Sequence, residues 1–158
     1  MIFVTLGSHD KPFNRLLEAV QEEIEKKNIK DEVIVQAGAT KFSSKDMKIF
    51  DLISIQEFDD LVSRCDLLIT HGGVGSIMTG LKKGKKVIAC ARLAKYKEVV
   101  NDHQKQIIEN FDKAGYIIGV TDLKDLDKAL TRAKDFKPKK YISNTKKFVK
   151  LVEKMIEE

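Results

Sequence analysis

At 158 residues, with 42% apolar and 34% charged side chains, the chain has the balance of one globular domain and excludes a disordered or fibrous polypeptide. A domain near this size buries roughly 68–70% of the surface its unfolded chain exposes, so one hydrophobic core is expected. No run approaches the roughly 18 consecutive apolar residues that a membrane-spanning helix needs. The formal charge of +5 is concentrated: residues 134–150 hold seven lysines against Asp135, which leaves the body near neutral.

The opening MIFVTLGSHD has no basic leader, and its apolar run gives way at once to Gly7 and Ser8. It reads as a first strand, Ile2 to Leu6, rather than a secretory signal. Phe13, Leu16, Leu17, Val20 and Ile24 then recur at helical spacing, with Pro12 suited to the first helical position. Further strands are expected at Glu32 to Gln36 and Lys48 to Ile53. Ser54 and Glu57 have the spacing of a capping box, ahead of the apolar stripe Phe58, Leu61 and Val62.

Strands at Leu67 to Thr70, Lys86 to Cys90 and Tyr116 to Gly119 continue the alternation with amphipathic stretches. The fold class this predicts is α/β, a doubly wound, mostly parallel Rossmann-like sheet in one domain spanning 1–158. Lys137-Pro138 ends the preceding helix, and a last helix is expected over about 140–157, with Phe148, Leu151, Val152, Met155 and Ile156 on one face. Its lysines read as a solvated face, or as a surface for anionic lipid at about 1 kcal/mol each, or for an acidic partner. No nucleic-acid partner is expected. Cys65 and Cys90 each lie in an apolar stretch, as buried thiols of a reducing compartment do, which points to the cytoplasm.

The most informative stretch is Leu67-Leu68-Ile69-Thr70-His71-Gly72-Gly73-Val74-Gly75-Ser76, a buried strand that runs into three glycines and then a helix. Glycines let a backbone approach an anion, and the free N–H groups of a helix start point at it. A tight turn whose glycines serve packing alone is the alternative. Gly7-Ser8-His9 would reach the same carboxyl edge if the first and fourth strands are neighbours, and ligands of such sheets bind there. Neither G-x-G-x-x-G nor G-x-x-x-x-G-K-[ST] is present, which argues against NAD and ATP. After the fifth strand come Arg92, Glu98 and Asn101-Asp102-His103-Gln104, whose polar groups suit sugar hydroxyls, although Asn101 or Asp102 could equally cap a helix.

These segments together resemble the C-terminal, donor-binding domain of glycosyltransferase family 28, the C-terminal half of a GT-B fold. The similarity rests on I-F-V-T-L-G-S-H, on D-L-L-I-T-H-G-G-V-G-S, and on the run from Arg92 to D-H-Q. It is narrowest to the small separate subunits that pair with a membrane-anchored partner in capsule and exopolysaccharide galactosyltransferases and in the dolichol-linked GlcNAc transferase. The resemblance implies a UDP-sugar donor, with Gly7 and Ser8 lining the nucleotide cleft and His71, Gly72, Gly73, Val74, Gly75 and Ser76 holding the diphosphate. Arg92, Asp102, His103 and Gln104 would face the sugar. Ala91 stands where relatives commonly place proline.

The resemblance further implies transfer to a lipid-linked acceptor with inversion, a base supplied by a membrane-anchored acceptor-binding subunit, and recruitment to the cytoplasmic face of a membrane through that partner or the Lys-rich tail. A non-catalytic nucleotide-sugar sensor or scaffold, and a self-sufficient homodimer, are the competing readings. No cofactor and no metal is expected. Asp125-Leu126-Asp127 spells D-x-D but reads as an acidic helix start near Asp122, and the separations of His9, His71 and His103 match no zinc motif.

Overall fold

The computed structural model describes residues 1–7 and 10–140. Ser8, His9 and, but for its first residue, the helix expected at about 140–157 lie outside the described residues. Six parallel strands form one sheet in the order β3-β2-β1-β4-β5-β6. They are β1 (Ile2–Thr5), β2 (Val33–Gln36), β3 (Met47–Phe50), β4 (Leu67–His71), β5 (Lys86–Cys90) and β6 (Ile118–Val120). Among the described residues four α-helices connect them and a fifth follows β6: α1 (Asn14–Glu25), α2 (Ile55–Arg64), α3 (Val74–Lys82), α4 (His103–Lys113) and α5 (Leu126–Asp135). The expected neighbourhood of the first and fourth strands holds, with Thr5 beside Thr70 in parallel register. The strand order therefore reverses between β1 and β4, the crevice at which doubly wound sheets bind ligands.

Alternation along each strand sends successive side chains to opposite faces. Val4, Val35, Ile69 and Ile88 pack with Leu16, Leu17 and Val20 of α1 and Leu126 and Leu130 of α5. Phe3, Ile34, Leu68 and Val87 pack with Leu61 of α2, Ile77 of α3 and Ile108 and Phe111 of α4. Both faces are covered, which explains why the central strands are apolar throughout instead of alternating.

Of the five α-helices, α2 alone has a side-chain hydrogen bond at its N-cap among the described residues. Ser54 Oγ accepts the amide of Glu57 at 3.1 Å and so caps α2 as its spacing predicts. Pro12 corrects the expectation of a first helical residue: α1 begins at Asn14, because the Phe13 amide donates to the Thr40 hydroxyl at 2.8 Å. Tertiary contact also shortens the third strand, which ends at Phe50 where the Asp51 carbonyl accepts the Gly38 amide at 2.8 Å. The acidic segment divides into a 3-10 turn, Leu123–Asp125, and α5.

Candidate functional site

The site is built on the corner between β4 and α3. Gly73 occupies the cap position of α3 with no side chain to bond the first-turn amides, and that turn carries no acidic residue. The amides of Val74, Gly75 and Ser76 consequently lack an intrahelical acceptor, and they lie at the positive end of the helix dipole. Gly75 is exposed and Ser76 half-buried, so this end of α3 is open to a ligand.

His71 sits at the centre of the corner and is only 7% exposed. A β-carbon added at Gly7 would lie 2.3 Å from its Nε2, and one added at Gly73 would lie 2.6 Å from its Cε1. The imidazole is thus held between two glycine backbones, one from each loop. Gly72 performs the same service for Gln104, whose Cβ and Oε1 would each lie 2.9 Å from an added β-carbon. Gln104 Oε1 is buried and accepts no hydrogen bond among the described residues, as is true of the Thr70 hydroxyl beneath the same corner.

The loop after β1 supplies the opposite wall. Gly7 has φ +70, a left-handed conformation that side chains disfavour, and its amide donates to Thr5 Oγ1 at 3.2 Å. Thr5 Oγ1 donates in turn to Gln36 Oε1 at 2.7 Å, which ties the end of β1 to β2. Gly38 allows the next loop to close on this wall, since a β-carbon there would meet the Gly7 carbonyl oxygen at 2.7 Å. Ser8 belongs to this loop and lies outside the described residues.

Arg92, expected to face the sugar, is buried in the structure. Its side chain is 1% exposed, with Nη2 donating to the Leu6 carbonyl at 3.0 Å and Nη1 to the Lys11 carbonyl at 2.7 Å. Burial pushes its pKa down to about 10, against the opposing pull of Glu98 and Asp10, and it stays charged at neutral pH. Glu98 likewise faces inward, taking both Nε (2.9 Å) and Nη2 (2.8 Å) of Arg15. Arg15 also stacks over Tyr96, 4.1 Å from the ring centre. Asp102 uses its carboxylate to accept the Ala94 amide at 2.9 Å, while Asn101 Oδ1 accepts the His103 amide at 2.9 Å. Asp102 is exposed, and His103 and Gln104 are half-buried at the start of α4.

The structure therefore brings Gly7, His71, Gly72, Gly73 and Gln104 into one corner and sets Arg92 beneath its walls. Sequence reading missed Arg15, Gln36 and Thr40, which support the same loops. Arg15 and Glu98 are 83 residues apart, and no local pattern links them. Asp125 and Asp127 stand apart from the corner: Asp127 Oδ1 accepts the Lys128 amide at 2.8 Å, as a solvated helix start does.

Comparison with known proteins bears on this architecture. The Glycosyltransferase family 28 C-terminal domain matches residues 1–158. The chain belongs to this family. Among curated proteins, the UDP-N-acetylglucosamine transferase subunit ALG13 of Saccharomyces cerevisiae is 36% identical over 52 residues, 33% of this chain and 24% of that protein. The subunit of the same name from Candida glabrata is 38% identical over 53 residues, 34% of this chain and 25% of that protein. The matches thus span about a quarter of those relatives' length.

Among solved structures, the NMR solution structure of ALG13 superposes with a TM-score of 0.64 at 23% identity, covering 99% of this chain and 96% of that one. The kitacinnamycin glycotransferase superposes with a TM-score of 0.62 at 19% identity, covering 85% of this chain and 35% of the larger one. These likenesses establish the fold, a doubly wound α/β domain of GT-B type. Against the family pattern, the Ala91 amide donates to the Val120 carbonyl at 2.9 Å, a bond that the proline common at this position could not make. No described helix is long and apolar enough to cross a membrane.

Proposed function

We propose that this family 28 domain binds a UDP-sugar at the corner of β4 and α3 and acts as the donor-binding catalytic subunit of an inverting glycosyltransferase. The observation that carries the reading is the open, uncapped start of α3, its amides flanked by His71 between two glycines. Such an end favours a diphosphate by about 0.3–1 kcal/mol per charge at an exposed site and up to ~2 kcal/mol where partly buried. Its value to catalysis lies in stabilising charge that grows on the leaving group. The buried Gln104 Oε1 supports a sugar site nearby, because a ligand hydroxyl or amide would supply the donor it lacks.

In this reaction the oxygen of an acceptor hydroxyl attacks the anomeric carbon of the sugar. The bond from that carbon to the β-phosphate oxygen breaks, and UDP leaves with the electron pair. The hydroxyl proton passes to a base on a second, membrane-anchored subunit that holds a lipid-linked acceptor. The similarity to proteins named transferase subunits supports such a partner, and their UDP-N-acetylglucosamine donor makes an N-acetylhexosamine the first sugar to test.

Titration of the protein with UDP, followed by amide NMR, tests the donor site. Shifts at Gly72, Gly73, Gly75 and Ser76 that ATP and NADH do not reproduce are expected, and equal responses to all three would sink the reading. Sugar transfer from UDP-N-acetylglucosamine to a dolichol phosphosugar, assayed with and without the co-expressed membrane subunit, tests catalysis. Turnover is expected only with both present, whereas a stable complex without turnover identifies a scaffold.

A further inference from the structure

Beyond the donor site itself, we propose that Arg92 is a positioning residue that joins the two walls of the cleft into one cooperative unit. One wall is the loop after β1, which carries Gly7 and ends at Phe13. The other is the loop after β5, which leads to Asp102 and Gln104. Arg92 stands at the root of the second and reaches into the first, donating to the carbonyls of Leu6 and Lys11 on either side of Gly7. Its guanidinium also lies 5.1 Å from the centre of the Phe13 ring. A weaker contact of 3.4 Å runs from Nη1 back to the Glu98 carbonyl, within its own loop.

Glu98 completes the joint from the other direction. Its carboxylate accepts the Leu93 amide at 3.0 Å while holding Arg15 of α1, so the loop after β5 is fastened both to itself and to the helix that follows the first wall. A buried charge is costly unless its donors find acceptors, and here backbone carbonyls from separate loops accept from both Nη groups, while Nε is buried without an acceptor among the described residues. The fork of a guanidinium can reach Leu6 and Lys11 together, whereas an ammonium presents one centre. Removing the fork frees both walls, and a ligand must then order them as it binds.

The use of these walls rests on the donor site proposed above, but their coupling can be read without ligand. Native-state hydrogen exchange should show one shared opening for the amides of Phe13, Leu93 and Glu98 in the unaltered protein. Unequal opening behaviour of the two loops would overturn the coupling, and this measurement needs no variant to fold. In Arg92→Lys, exchange at Phe13, Leu93 and Glu98 should rise together about tenfold, with Val4 and Ile69 in the sheet unchanged. Loss of protection throughout the sheet, or in one loop alone, would refute the role. UDP should bind Arg92→Lys about tenfold more weakly, by the cost of ordering loosened walls. Equal affinity in both proteins, despite loosened loops, would refute positioning. If the unaltered protein fails to bind UDP, the donor reading falls while the exchange result still decides the coupling.

Discussion

The imidazole of His71 lies so close to Gly7 that no side chain fits between them: an added β-carbon would come within 2.3 Å of Nε2. His71 ends β4 and Gly7 lies two residues past the end of the adjacent parallel strand β1, so this contact fixes how the first loop meets the helix-start corner. Gly7 also has φ +70, which makes substitution unfavourable twice over. Gly7→Ala should lower stability by about 1–3 kcal/mol from backbone strain alone. The displaced His71 should weaken UDP binding further than the stability change explains. Urea unfolding and UDP titration of the same variant check both parts, and unchanged UDP affinity would count against the corner.

Much of this architecture is legible in the sequence, for physical reasons that can be stated residue by residue. The central strands β1, β4 and β5 are buried on both faces, so they read as apolar runs, and Ser54 announces α2 through a cap three residues long. The glycines of the corner stand out in the sequence because they fall at a strand-to-helix junction. What escaped depends on partners distant in the chain. Nothing near Pro12 reveals that Thr40 holds the Phe13 amide, and nothing near Arg92 reveals that Leu6 and Lys11 hold its guanidinium. An arginine next to polar residues looks like a ligand contact until its burial is known. The sequence pattern singled out the candidate corner, while the supports beneath it required the fold.

Ser54 offers a control that separates stability from binding. Its hydroxyl caps α2, beside the edge strand β3 and apart from the β4–α3 corner. Ser54→Ala should cost about 1 kcal/mol, the usual effect of losing such a cap. UDP affinity should stay as it was. A denaturation curve with a lower midpoint and an unaltered slope would fit, and a matching fall in UDP affinity would show that the corner responds to general loosening.

The cysteines predict a pH dependence of definite sign. Cys90 is fully buried, and burial pushes its thiol up to about 12. Burial also raises Cys65, whose Sγ lies 3.1 Å from the Val62 carbonyl. In the unfolded chain these thiols ionise near 9, so above that pH the folded state binds more protons than the unfolded one and stability falls as pH rises. Below pH 8 the term vanishes. Because the thiolate is the reactive species, neither cysteine should react with a disulfide reagent at pH 8 until the protein is unfolded by guanidinium. Rapid labelling of the native protein would contradict the burial.

Gly75 gives the sharpest separation of folding from function. It lies exposed in the first turn of α3, and a β-carbon there meets nothing within 4 Å. Alanine is preferred over glycine in helices by up to about 1 kcal/mol, so Gly75→Ala should hold or raise the melting temperature. The same methyl would stand over the open amides of Val74, Gly75 and Ser76, where the diphosphate is proposed to approach most closely. Affinity for UDP should therefore fall about tenfold, roughly 1.4 kcal/mol, in a protein no less stable than the parent. Glycines that served compactness alone would produce the opposite result, a more stable variant that binds UDP as before. Thermal melting and UDP titration of this one substitution distinguish an anion-binding corner from a merely tight turn.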